Sequence, residues 1–171
     1  MIASPCEKRT AEAWVELDDF DRRLLDALQE NNRLTGDELA TIAGLSAAAC
    51  LRRVQRLRDE GVIERDVSLL APAAVGMRVT VVVMVTLERE RPDLVDEFKQ
   101  AMRRAPEVQQ CHYVTGTADF VLIVTAADMT DYEAFTRRHL FERHIRRFES
   151  LVVLDRVKSA TAIPLTERRQ T

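Results

Sequence analysis

Leu17, Leu24, Leu25 and Leu28 recur at intervals that bring them to one side of a helix, with charged residues between them on the other side. Asp18 or Asp19 supplies the cap, and the pattern predicts a first helix ending near Asn31-Asn32. A second begins at "TGDE", Thr35 to Glu38, a capping box in which the threonine hydroxyl accepts from the Glu38 amide while the Glu38 carboxylate reaches back. It continues through Leu39, Ala40, Ile42 and Ala43 and stops at Gly44, a residue suited to the left-handed backbone that follows a helix. Ser46 then caps a third helix. So short a turn, with small Ala40 and Gly44 where the backbones approach, predicts a helix-turn-helix.

In the third helix, at about 100° per residue, Cys50, Leu51, Val54 and Leu57 form a core-facing stripe, and Arg58 projects toward the same side. Ala48, Ala49, Arg52 and Arg56 point the opposite way, with Arg53 beside them. After Gly61, "VIERDV" (62 to 67) predicts the strand of a wing.

The pattern changes near residue 70, where "VGMRVTVVVMVTLE" (75 to 88) is a β-branched run that predicts a buried strand, about Arg78 to Leu87. A helix after Pro92 carries Leu94, Val95, Phe98 and Met102 on one face. Segments 107 to 116 and 119 to 126 read as a hairpin around Gly116-Thr117-Ala118, and a second helix from Met129-Thr130 turns Tyr132, Phe135 and Leu140 inward. "ESLVVLDRVK" (149 to 158) closes the sheet, giving a ferredoxin-like βαββαβ unit in an α+β chain. Its two helices cover one sheet face, yet the first strand is apolar on both. Val79, Val81, Val83 and Val85 lie on one side and Val82 and Met84 on the other, so the open face is expected to pack on another subunit.

These elements divide the chain into a disordered tail (1–16), a winged helix-turn-helix domain (17–66), a linker (67–76), a ferredoxin-like domain (77–165) and a short C-terminal tail (166–171). The 171 residues, 46% hydrophobic and 31% charged, suit two small globular domains. With 28 acids against 25 lysines and arginines the net charge is −3, so any affinity for phosphate must be local. No apolar run reaches the roughly 18 residues of a membrane span and the first residues lack a signal-peptide pattern, which predicts a cytoplasmic protein without membrane contact. Cys6, Cys50 and Cys111 are too few and too scattered for a disulfide framework.

The local charge sits on the third helix. A slim front of Ser46, Ala47, Ala48 and Ala49 followed by Arg52, Arg53 and Arg56 suits entry into the major groove, where arginines reach guanine edges or phosphates. Thr35 at the front of the preceding helix and Arg65 in the expected wing join the DNA-facing set. No P-loop, GxSxG or HExxH occurs; Cys111 and His112 face opposite sides of a strand, and neither they nor His139 and His144 suggest a metal site or a nucleophile pair. An enzyme, a resident cofactor and a bound metal are therefore not expected.

Taken together, "LDDFDRRLLDALQENNRL", "ELATIAGLSAAACLRRVQRLRDEGVIER", "VTGTADFVLIV" and "VKSATAIPL" resemble the Lrp/AsnC family, the leucine-responsive and asparagine-responsive bacterial transcription regulators, across nearly all of residues 17 to 165. The resemblance implies a homodimer that assembles to tetramers or octamers, binding of a pseudo-palindromic double-stranded operator, and an amino acid or similar effector held between ferredoxin-like domains. The family's Gly-x-x-Asp loop falls on Gly116, Thr117, Ala118 and Asp119, with Tyr113 and Thr161 as further effector contacts. The chain departs from the pattern at Ala160, where a second threonine is common, and at "FERHIRRF", where a Pro-Gly-Val turn is common. Two alternatives remain at this level: an effector-free architectural protein that compacts DNA, and a ligand-binding regulatory subunit of an enzyme.

Overall fold

The computed structural model describes residues 15–88, 91–141 and 144–165. The expected tail at 166–171, and all but the last two residues of that at 1–16, lie outside them. The chain forms two compact units, one running up to Ser68 and resuming at Ser159, the other spanning Leu69–Lys158.

The first unit contains α1 (Asp19–Glu30), α2 (Gly36–Ala43) and α3 (Ala47–Asp59). Each begins at a capping side chain. Asp18 accepts from the Asp21 amide at 2.8 Å, and Asp21 in return accepts from the Asp18 amide at 3.3 Å. Thr35 accepts from the Glu38 amide at 3.3 Å while Glu38 accepts from the Thr35 amide at 2.7 Å. Ser46 accepts from the Ala49 amide at 3.3 Å. These contacts satisfy amides that the first helical turn leaves without partners. Gly44 closes α2 at φ 72°, ψ 33°. Leu24, Leu39, Ala43, Cys50 and Val54 form the core, flanked by Ala27, Leu28 and Ile63.

The structure corrects four details of this unit. Leu51 does not join the core but is 54% exposed, because α1 and α2 cover only the narrower stripe of Cys50, Val54 and Leu57. Arg58 is also exposed, paired with Asp66 at 3.1 Å. The tight packing lies at Gly36, where a Cβ would come within 3.3 Å of Leu51 Cδ1, whereas a Cβ at Gly44 would meet nothing within 4 Å. Residues 62–67 form no strand. Instead the Ile63 amide turns back to the Leu57 carbonyl at 3.1 Å and Ile63 packs on the core, which leaves the segment without a strand partner among the described residues.

The segment from Ser159 onward groups with the first compact unit. Its anchor is Gln29 of α1, whose side-chain amide donates to the Ile163 carbonyl at 3.1 Å and accepts from the Ile163 amide at 2.6 Å.

The second unit has β1 (Val79–Leu87), α4 (Pro92–Arg104), β2 (Val108–Tyr113), β3 (Phe120–Ala126), α5 (Met129–His139) and β4 (Ile145–Val152). The sheet order is β2-β3-β1-β4 with neighbouring strands antiparallel, the split arrangement that the βαββαβ pattern predicts. Val81, Val83 and Val85 are fully buried beneath α4 and α5, packed with Phe98, Met102, Phe120, Leu122, Phe135 and Leu140. The closing strand lies earlier than the expected 149 to 158. Pairing with β1 sets Phe148 opposite Val85 and Val152 opposite Val81, while Leu154 and Val157 beyond it are 98% and 91% exposed. The apolar run misplaces the strand because pairing follows the partner's register. On the open face Val82, Met84, Val121 and Ile123 are half-buried and Leu151 is exposed.

Candidate functional site

The front of α3 is small and accessible. Ser46 and Ala48 are exposed and Ala47 and Ala49 half-buried, so little side-chain bulk stands between this end of the helix and an approaching surface. Thr35 is exposed at the start of α2, where its hydroxyl also donates to Glu38 at 2.8 Å. The Thr35 amide, and then its hydroxyl, hold the Glu38 carboxyl below the usual carboxylate range.

The arginines behind this front divide into two kinds. Arg52 is exposed and makes no hydrogen bond or ion pair among the described residues. Arg53 and Arg56, expected on the same outward face, are instead turned to α1. Arg53 Nη1 lies 2.8 Å from Asp18 Oδ2 and 2.9 Å from Asp21 Oδ1, and Arg56 Nη2 lies 2.5 Å from Asp21 Oδ2. The Asp21 side chain is only 2% exposed. Arg53 also rests on the Phe20 ring, its guanidinium carbon 5.4 Å from the centroid. Asp21 was not legible as a functional residue; its signal is the second acid of a D-x-x-D cap facing the arginine helix. Arg65 is exposed on the segment that forms no strand.

In the second unit the Gly116–Asp119 loop joins β2 to β3. Gly116 adopts φ 126°, a conformation other residues rarely take, with open space where a Cβ would stand. Asp119 Oδ2 accepts from the Leu87 amide at 2.7 Å, and the Asp119 amide donates to the Val85 carbonyl at 2.9 Å. Thr86 Oγ1 donates to the Thr117 carbonyl at 3.4 Å, while Ala118 is buried. Tyr113 is 54% exposed, held between the Phe120 ring at 5.0 Å and the Lys99 ammonium at 4.8 Å. Lys99 is a neighbour the sequence reading missed. Thr161 falls in the first compact unit.

A helix-turn-helix whose second helix has a small front and a free cation, carried with a separate βαββαβ unit, has the architecture of a DNA-binding regulator with its own sensor domain. Residues 17–64 match the winged helix-turn-helix DNA-binding family and residues 80–163 match the Lrp/AsnC ligand binding domain. The chain is 57% identical over 152 residues to an HTH-type transcriptional regulator of Sinorhizobium fredii, covering 88% of this chain and 90% of that one. It is 32% identical over 154 residues to the leucine-responsive regulatory protein of Escherichia coli, covering 90% and 94%. The structure of a Neisseria meningitidis transcriptional regulator in complex with L-Met is similar at TM-score 0.83 and 34% identity, over 88% of this chain and 97% of that one. The chain belongs to the Lrp/AsnC family of transcriptional regulators, with a helix-turn-helix for DNA and a ligand-binding domain. Among its described residues no helix is long and apolar enough to cross a membrane.

Proposed function

We propose that this regulator binds a pseudo-palindromic operator as a dimer, placing the front of α3 in the major groove, and that an amino acid bound at the ferredoxin-like unit alters its DNA affinity or assembly. The observation that carries the DNA reading is Arg52, exposed and without an ion-pair partner among the described residues, behind the small side chains of Ala48 and Ala49. Such a pair of features lets a helix approach base edges closely while a guanidinium reaches guanine or phosphate. The amino-acid reading is supported by the L-Met bound to the Neisseria relative, and by the Gly116 loop, whose open backbone lets a carboxylate approach main-chain amides. The apolar open face of the sheet supports self-association, because Val82, Met84, Val121 and Ile123 are left only half-buried there.

The test is binding to DNA upstream of the chain's own coding sequence, titrated with each of the twenty amino acids at fixed salt. A specific complex that Arg52→Ala weakens by about 1–3 kcal/mol, and that one amino acid shifts, is the expected result. Full affinity in Arg52→Ala sinks the assignment of the reading residue. A specific complex indifferent to all twenty amino acids removes the effector from the proposal.

A further inference from the structure

The recognition face carries a device that its charge alone does not reveal. Asp21, on α1, is almost fully buried yet accepts from two guanidinium groups of α3, with Arg53 and Arg56 on its two carboxylate oxygens. Asp18 adds a second acceptor to Arg53. Neither arginine is itself buried: their side chains are 30% and 41% exposed, within reach of a surface lying against α3. We propose that Asp21 is a specificity-determining residue: by holding Arg53 and Arg56 in internal ion pairs it keeps two cations off the DNA phosphates and leaves Arg52 as the arginine that reads the site.

To reach phosphate, each arginine must give up its carboxylate partner. Contact with phosphate is sequence-independent, and each phosphate neutralised adds affinity for every DNA alike. An arginine that turned from Asp21 to phosphate would leave a buried carboxylate short of its charged partner, which is strongly unfavourable. The pairing therefore persists in the complex, and non-specific affinity stays low while the contact that discriminates between sequences is kept. The net charge of −3 works in the same direction, since no general basic coat compensates. The same two pairs also fix the angle of α3 against α1, which makes Asp21 a positioning residue for the groove-facing front.

The inference rests on the reading in which α3 contacts DNA, and the experiment separates the two. Full-length wild type, Asp21→Asn and Arg56→Ala are compared on the fragment upstream of the chain's own coding sequence and on mixed-sequence DNA of equal length, recording log affinity against log salt. Asp21→Asn keeps the volume but lacks the charge. It is expected to steepen the salt dependence by about one to two in slope, as one or both arginines become available to phosphate. It is also expected to tighten binding to mixed-sequence DNA at low salt by on the order of tenfold, and so to lower the ratio of specific to non-specific affinity. Arg56→Ala is expected to leave the slope as in wild type, whereas loss of a phosphate contact would reduce it by about one. A folding defect alone lowers the active fraction but does not change the slope. Circular dichroism establishes whether Asp21→Asn is folded; if it is not, Arg56→Ala decides the question. A folded Asp21→Asn with wild-type slope and ratio, or an Arg56→Ala slope reduced by about one, overturns the inference. Absence of any wild-type DNA complex would instead overturn the reading beneath it.

Discussion

Asp119 Oδ2 accepts a hydrogen bond from the Leu87 amide at 2.7 Å, tying the loop between β2 and β3 to the end of β1. The carboxylate that the family resemblance places among the effector contacts is therefore already engaged with main chain. Removing it leaves the Leu87 amide, at a residue 5% exposed, without that partner. Asp119→Ala is expected to destabilise the protein by about 1–3 kcal/mol with no ligand present, read from urea unfolding. Wild-type stability would show that the bond contributes nothing to the fold and return Asp119 to ligand contact alone.

Gly36 opens α2 and Gly44, eight residues later, closes it. Gly44 sits at φ 72° with free space around it, so its constraint is backbone conformation and not crowding. Gly44→Ala is expected to cost about 1–2 kcal/mol. At Gly36 the contact is with the end of Leu51, an exposed and adjustable side chain. Gly36→Ala is expected to change stability by less than about 1 kcal/mol in either direction, the lost chain freedom of the unfolded state offsetting the tight contact. Paired denaturation curves measure both, and equal costs would reject the distinction.

The Asp18 cap gives the protein an acid-sensitive element. Burial disfavours its charge, but the Asp21 amide and the Arg53 guanidinium outweigh that and hold its carboxyl below the usual range. A folded pKa below the unfolded one means that the contribution is complete above the unfolded value, about 3.9, and disappears as pH falls through the folded value. Asp18→Asn retains a capping side chain but cannot titrate. Its melting temperature should fall less steeply than that of wild type between about pH 5 and pH 3; parallel curves would exclude Asp18 as a source of the acid sensitivity.

Cysteine reactivity distinguishes the two units. Cys50 is fully buried in the first, and burial pushes the half-buried Cys111 thiol up in the second, against the opposing pull of Arg103 and Lys99. In a Cys6→Ser background, Cys111 should react with a thiol reagent at neutral pH on the order of tenfold more slowly than free cysteine. Cys50 should react only on unfolding. Reaction of either at the rate of an unstructured thiol would contradict the packing described.

What the sequence determined by itself was set by neighbours a few residues apart. Thr35 with Glu38, Ser46 with Ala49 and Gly44 after α2 are local bonds and local backbone states, so their residue types announced the helices and the turn between them. Alternation through Val79 to Val85 likewise announced both faces of β1. The order of elements, and from it the helix-turn-helix and the βαββαβ unit, followed. Tertiary structure decided whatever depended on a distant partner. A helical wheel gives the direction of Arg53 and Arg56 but not the buried acid 32 and 35 residues earlier that captures them. The same holds for Asp119 and the Leu87 amide, 32 residues apart, for Gln29 and Ile163, 134 apart, and for β4, whose position is dictated by its register against β1 rather than by its own apolar run. A side chain's direction is local, but whether it meets water, a phosphate or a buried carboxylate is settled only when the fold brings remote segments together.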